Sequence, residues 1–356
     1  MPANPAHPAT ALDPIAFTRS LVDIDSTTYH ESAVAQFLAE FLASRGFSVE
    51  TMPVSQPLES RSESERFNVY AGASDETPDV VFSTHLDTVP PFIPSSEDDN
   101  FLYGRGTCDA KGIIAAQIAA AERLRAEGLK VGLLFVVGEE RDSAGAKVAN
   151  QQPRGSRFLI NGEPTDNRLA LASKGALRVH LVATGKMAHS AYPELGESAI
   201  HKLIGALHRL LALPLPVNLE VGPSTLNVGT IAGGRAPNVI ADHAEAQLMI
   251  RLVGPSEVTR RAIEQAVAGL VTVDFTLEIP FAKFLHLEGL PTMIAAFASD
   301  VPWLSAWGEP LLLGPGSIHV AHTPHEKLSK RELLEAVDLY VKVARGLLSM
   351  PTGSLS

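Results

Sequence analysis

The sequence predicts an α/β protein of two domains, one inserted in the other. Three observations predict it. A chain of 356 residues exceeds what one ordinary hydrophobic core organises. Short apolar runs at Val80-Val81-Phe82, Leu133 to Val137 and Phe158-Leu159-Ile160 have the length of strands buried on both faces. An Ala-rich helical stretch from about Ala110 to Glu127 separates two of these runs, an alternation that implies a sheet covered by helices.

The elements follow in order. Asp13-Pro14 has the form of a helix N-cap followed by proline in the first turn. Phe17, Leu21 and Ile24 then fall near helical spacing. From about Glu31, residues Val34, Phe37, Leu38, Phe41 and Leu42 form one apolar stripe, and Gly46 is a stop. The polar stretch Ser55 to Glu65 reads as a surface loop. Past Ser173 the pattern changes. A strand from Ala176, a helix from Glu197, strands from Thr225 and Ala244, a helix from Ser256 and a strand from Val273 make a β-α-β-β-α-β unit. That order is ferredoxin-like. The expected inserted domain spans 174–282, between the two parts of the outer domain, 1–173 and 283–356. Leu311-Leu312-Leu313 and a final helix from about Lys330 to Leu348 return to the outer domain.

Composition narrows the function. The formal charge is -11, and no basic stripe is present to track phosphates, which argues against nucleic acid as a partner. No run of about 18 apolar residues is present to span a membrane. Met1 to Ala11 has neither the basic start nor the apolar block of a signal peptide and reads as a loose tail. The one cysteine, Cys108, excludes an intramolecular disulfide and fits a reducing compartment. A cytoplasmic protein is expected.

Four segments share a design in which an apolar strand-like run ends in residues that ligate metals, at the strand ends where α/β sheets place their sites. Val80 to Thr84 leads to His85-Leu86-Asp87, with Asp87 placed to hold the imidazole tautomer. Taken alone, His85 reads as readily as a hydrogen-bonded strand-end histidine. Gly104-Arg105-Gly106-Thr107-Cys108-Asp109 leads into the Ala-rich helix; Asp109 is either its N-cap or a carboxylate between two cations. A phosphate loop does not fit, because Lys111 precedes its glycine. Leu133 to Val137 leads to Gly138-Glu139-Glu140, adjacent acids suited to two roles or exposed in a loop. Phe158-Leu159-Ile160-Asn161-Gly162 leads to Glu163. Downstream, His319, His322 and His325 lie within seven residues, and spacing does not choose among them. Together these are imidazole and carboxylate donors of the kind zinc accepts.

In these motifs the sequence resembles the co-catalytic zinc amidohydrolases that include acetylornithine deacetylase, succinyl-diaminopimelate desuccinylase, aminoacylase and glutamate carboxypeptidase. The resemblance runs in order from about Asp13 to the last helix. It implies a zinc-peptidase-like mixed-sheet catalytic domain with an inserted lid or dimerisation domain. It implies two Zn2+ ions, with Co2+ or Mn2+ as substitutes. Asp109 would bridge them, His85 and Glu163 would complete one site, and Glu140 and His322 the other. Asp87 would orient His85, and Glu139 would be the general base. His322 is chosen by its place in Ala321-His322-Thr323-Pro324, while His325 stands where relatives carry an acid or Asn.

Within the insert, Gly185 to Ser190 with Tyr192-Pro193 resembles the lid segment whose histidine, here His189, polarises the scissile carbonyl, often from the other subunit of a dimer. Gly233-Gly234 with Asn238 and, later, Arg251 resembles the segment that receives the substrate carboxylate. Ala298 to Trp303 is a shortened version of a segment that carries Gly-Gly-Thr-Asp in relatives. The leading expectation is an acetylornithine-deacetylase-like deacylase of N-acyl amino acids, acting as a homodimer. The alternatives are a dipeptidase, aminopeptidase or carboxypeptidase of the same fold, a hydrolase of carrier-linked amino acids, and a non-catalytic binding protein.

Overall fold

The computed structural model describes residues 11–57, 65–74 and 76–350. The N-terminal tail and most of the stretch Ser55 to Glu65 lie outside the described residues. Helix Pro14–Val22 begins as its Asp-Pro start predicts: Asp13 Oδ1 accepts the Ile15 N–H at 2.9 Å. Helix Ser32–Ser44 buries Val34, Ala35, Leu38 and Leu42 and ends just before Gly46, which holds a left-handed φ of 79°.

The chain forms two compact units. The first holds the described residues up to Leu171, Phe284–Met293 and those from Trp303 onwards; the second holds Ala172–Lys283 and Ile294–Pro302. The second unit thus starts two residues before the expected limit of 174, ends one after 282, and takes up a further segment. Packing explains the change: Ala172 and Ile294 join Val221 and Val253 in one small apolar cluster. That further segment includes the buried Asp300.

The mixed sheet of the first unit runs in the order Ser48–Val54, Arg66–Gly72, Val131–Val136, Val80–His85, Phe158–Asn161, Glu309–Leu312, Leu169–Ser173. Its four middle strands are parallel. The register pairs His85 with Val136, and Asn161 with both Ser83 and Leu312. Four parallel strands therefore finish at one edge, each running into a candidate ligand segment. Both faces are covered, as the continuous apolar runs require. Phe82, Leu133, Phe135 and Ile160 pack against helices Gly112–Ala126 and Lys330–Leu348, while Val81, Leu134, Val136 and Leu159 pack with Trp307, Tyr70 and helix Ala144–Ala149. Each such side chain contributes about 1.5–3 kcal/mol on burial.

The two outer strands, Ser48–Val54 and Arg66–Gly72, escape a search for continuous apolar runs. The first is mostly exposed and contains Pro53, which an edge strand tolerates. Arg66, at the start of the second, makes a fully buried two-pronged ion pair with Glu31 at 2.9 and 3.0 Å. The final helix is pinned to the sheet where Tyr340 Oη donates to Leu313 O at 2.6 Å.

The second unit is an antiparallel four-stranded sheet in the order Thr225–Gly233, His243–Leu252, Gly175–Thr184, Thr272–Ile279, the ferredoxin-like arrangement. Leu177, Val179, Leu181 and Ala183 alternate with solvated neighbours and pack under helices Ala199–Leu211 and Ser256–Val267. The edge strand Thr225–Gly233 is exposed along most of its length. Among the described residues, no helix is long and apolar enough to cross a membrane.

Candidate metal centre

His85 ends its strand at 1% exposure. Its Nδ1 lies 2.9 Å from the Asp87 carbonyl oxygen. A carbonyl only accepts, so Nδ1 carries a proton, and Nε2 is the nitrogen whose proton a cation would displace. The Asp87 carboxylate is 3.7 Å from Nδ1, too far for a hydrogen bond. The Asp87 backbone thus holds the ring directly, and its carboxylate faces the same Nδ1 from just beyond hydrogen-bond range, where its charge favours the protonated imidazole.

The Asp87 carboxylate has other partners. Oδ1 accepts the N–H groups of Gly138 and Glu139, each at 3.0 Å, and Oδ2 accepts that of Glu140 at 3.2 Å and the Thr28 hydroxyl at 2.8 Å. Gly138 makes this turn possible with a φ of 83°, and a Cβ there would lie 2.5 Å from Arg66 Nη2. Asp87 thus anchors the loop that presents Glu139 and Glu140.

Asp109 is not an N-cap. A wide turn, Thr107–Lys111, precedes the helix, which starts at Gly112, and the Asp109 backbone is non-helical with φ -130° and ψ 84°. The peptide to Ala110 is cis. The carboxyl is instead divided between two imidazoles, with Oδ1 2.9 Å from His85 Nε2 and Oδ2 3.2 Å from His322 Nε2. His322 Nε2 also lies 2.9 Å from Glu140 Oε1. Burial opposes ionisation of Asp109, but the bonds from His322 and His85 outweigh it and hold the carboxyl well below the usual range. Hydrogen bonds to Asp109 and Glu140 push His322 up to about 10. Burial lowers the His85 pKa, but the bond to Asp109, the Asp87 carboxylate and the charges of Asp109 and Glu139 together more than reverse this. Of the three downstream histidines, His322 alone among the described residues brings its ring to these carboxylates; His325 is exposed and donates only its backbone N–H, to Thr323 Oγ1.

Glu163 arrives by strand register. The Gly162 N–H donates to Ser83 O at 2.7 Å and the Thr84 hydroxyl to Gly162 O at 2.8 Å. These bonds continue the pairing past Asn161 and bring Glu163, 4% exposed, level with His85. The arrangement fits divalent cations on the structure's own terms. One ligand atom each from His85, Asp109 and Glu140 lies within 4.8 Å of the others, and one carboxylate offers an oxygen to each of two imidazole nitrogens.

The three expected residues of the second unit do not all converge. His189 is exposed; its Nδ1 accepts the Ala191 N–H at 3.1 Å, and it pairs across from Val239. Asn238 is beside it, its carbonyl accepting the Ser190 N–H at 3.0 Å. Arg251 stands at the other end of its strand, opposite Ala176 and Thr225. Nine strand residues at about 3.3 Å each separate it from Asp242 by about 30 Å. Asn238 and Arg251, both expected at the substrate carboxylate, therefore lie toward opposite ends of this sheet within one chain. Arg251 is half-buried, has no ion pair among the described residues, and burial lowers its pKa.

Sequence reading missed Thr28, Arg105 and Glu326. Arg105 Nη1 and Glu326 Oε2 form a buried pair at 2.7 Å. The one local signal was a charged residue at the heart of each motif, Arg105 between two glycines and Glu326 four residues after His322.

Comparison with known proteins agrees with this geometry. Residues 171–274 match the peptidase dimerisation domain family. The chain is 38% identical over 338 residues to a peptidase M20 domain-containing protein of Schizosaccharomyces pombe, covering 92% of this chain and 83% of that protein. It is 39% identical over 369 residues to a probable carboxypeptidase of Aspergillus terreus, covering 92% and 85%. Among solved structures, aminopeptidase PepT of Bacillus cereus superposes with a TM-score of 0.76 at 20% identity, over 95% of this chain and all of that one. A dinuclear metal-binding peptidase of the M20 family from Bacillus subtilis gives 0.66 at 16% identity, over 95% and 98%. With a relative 38% identical matched over 92% of this chain and 83% of its own length, and a mixed sheet that gathers histidines and carboxylates at one edge, the chain belongs to the M20 peptidase family of metallohydrolases.

Proposed function

We propose that this protein is a dinuclear zinc carboxypeptidase that removes the C-terminal residue from short peptides. The observation that carries the metal chemistry is the Asp109 carboxyl shared between His85 and His322, with Glu140 alongside. His85, Asp109 and Glu163 would hold one cation, and Asp109, Glu140 and His322 the other. This mix of imidazole and carboxylate suits zinc and also admits cobalt or manganese. When bound, the cations supply Lewis-acid activation of water and of the scissile carbonyl.

The chain's own residues carry the rest. Glu139, held beside Glu140 by Asp87, takes the proton of the attacking water and returns it to the leaving nitrogen. His189 donates a hydrogen bond to the carbonyl oxygen as charge develops there, with Asn238 beside it. Arg251, a half-buried cation with no ion pair among the described residues, takes the free carboxylate by a two-pronged bond.

Curated relatives carrying the name probable carboxypeptidase at 38–39% identity favour peptide cleavage over the deacylase expected first. The carboxylate anchor suits both, because both release a residue with a free carboxylate, so the deacylase remains a second reading. A homodimer follows from the same reading. No small substrate spans the about 30 Å between Arg251 and the His189 end of one sheet, so the two groups act together when they come from different subunits. The exposed Ile231 on the edge strand and Ile204 and Leu211 on the neighbouring helix suit such an interface.

The test is hydrolysis by chelator-stripped protein after zinc, cobalt or manganese is restored. The substrates are N-blocked dipeptides, their C-terminal amides, N-acetyl amino acids and free dipeptides. The expected result is metal-dependent release of the last residue from N-blocked dipeptides and none from the amides. Turnover confined to N-acetyl amino acids supports the deacylase. Turnover that needs a free amine makes the protein an aminopeptidase. Hydrolysis indifferent to metal overturns the proposal.

A further inference from the structure

Glu326 is a buried carboxylate outside the proposed ligand set, yet it joins the two segments that carry Asp109 and His322. Its Oε1 accepts the backbone N–H groups of Gly106 at 2.9 Å and of Cys108 and Asp109 at 3.2 Å. Its Oε2 accepts Arg105 Nη1 at 2.7 Å, and the same nitrogen reaches Thr323 O, beside His322, at 3.2 Å. The two side chains are 1–2% exposed. Gly106 allows the backbone to wrap the carboxylate through a left-handed φ of 89°, and a Cβ there would lie 2.9 Å from Thr88 Cγ2. Strands Phe101–Tyr103 and Lys327–Ser329 pair directly beside this contact and bring the two segments into register.

The two proposed cation sites depend on this contact unequally. His85 is fixed by its strand and by the Asp87 carbonyl, and Glu163 by the adjoining strand. His322 lies in a loop, with its side chain 49% exposed and its backbone at a left-handed φ of 62°. Its contacts to Asp109 and Glu140 need the loop held in place, and Arg105 and Glu326 are the buried groups that hold it.

We propose that the Arg105–Glu326 pair is a positioning device for the cation of Asp109, Glu140 and His322: it sets the spacing of Asp109 from His322 and so governs the affinity of that site far more than that of the His85 site, which shares only Asp109 with it. The inference rests on the dinuclear reading. Neither residue touches substrate or cation; both act through the backbone of the ligand segments. Side chains that orient ligands typically change metal affinity by about 10–100-fold.

The test is metal binding by the full chain, read independently of activity. Zinc per chain is measured by mass spectrometry at buffered free zinc, and affinities by competition with a chromophoric chelator. Wild type, Glu326→Gln, Arg105→Lys and a cavity variant, Leu42→Ala, are compared, with melting of the metal-free proteins measured alongside. Wild type is expected to hold two zinc ions. Glu326→Gln is expected to hold one at a free zinc that fills wild type, with the second weakened about 10–100-fold. Arg105→Lys, which keeps a cation able to reach both Glu326 and Thr323 O, is expected to hold two.

Two equally tight ions in Glu326→Gln, loss of both together, or the same selective loss in Leu42→Ala would each overturn the inference. Fewer than two ions in wild type would strike instead at the dinuclear function. If Glu326→Gln does not fold, Arg105→Gln carries the same expectation and the same overturning outcomes.

Discussion

In the first unit, Asp87 takes three backbone N–H groups and a hydroxyl, and Glu326 takes three backbone N–H groups and a guanidinium. In the second, the His189 ring accepts a single backbone N–H and Arg251 has no ion pair among the described residues. The first arrangement is complete within one chain: buried acids hold the loops, and the loops hold the ligands. The second is open at these two residues, with His189 exposed and Arg251 half-buried. Under the proposed function this difference has a reason: preorganised charge belongs where the transition state would gain charge, and groups that would capture and release a substrate keep bonds free for it.

The sharpest break of this comparison is Glu139→Gln. It should lower kcat by about 10²–10⁴-fold while the protein keeps its metal, because Gln retains the shape and the backbone N–H bond to Asp87. Turnover near wild type in a metal-replete variant would falsify the role of Glu139. Next in size, His189→Ala should cost about 10²–10³-fold in kcat without changing metal content. An unchanged kcat removes His189 from the chemistry.

Mixing these two inactive variants sharpens the contrast between the units. If His189 serves the partner's site, a heterodimer of Glu139→Gln and His189→Ala has one intact site, and random re-association should restore roughly a quarter of wild-type activity. No recovery in verified heterodimers would place both residues in the same chain's site. The smallest effect is expected at Arg251. Losing a charge-assisted bond worth about 1.5–3 kcal/mol should raise KM by roughly 10–100-fold for substrates with a free carboxylate and leave C-terminal amides unaffected. An equal change for both would mean that Arg251 supports the fold instead.

Much of this was legible in the chain. The parallel strands announce themselves as short apolar runs because both their faces are covered, and the inserted unit through alternation, because one of its faces is wet. The final helix, Lys330–Leu348, lies where its periodicity places it. The strands Ser48–Val54 and Arg66–Gly72 were not legible: the first is an exposed edge that needs no continuous apolar run, and the second, though buried and paired on both sides, opens on Arg66, which reads as a surface charge until Glu31 is found opposite it. Asp109 reads equally as a cap or a ligand, since both readings need an acid before a helix; only its non-helical backbone and its two histidine partners separate them.

The sequence by itself determined the kinds of donor, the order in which they occur and the strands that deliver them, because local period and residue chemistry encode these. Tertiary structure alone decided which distant groups meet: Asp109 with His322, Arg105 with Glu326, and the Asp87 carboxylate with the Gly138–Glu140 loop. It also decided that Arg251 and Asn238 stand apart. The physical reason is that such meetings depend on strand register and on loops closed by buried charge. A hydrogen bond formed across more than two hundred residues leaves no periodic trace in the chain that makes it.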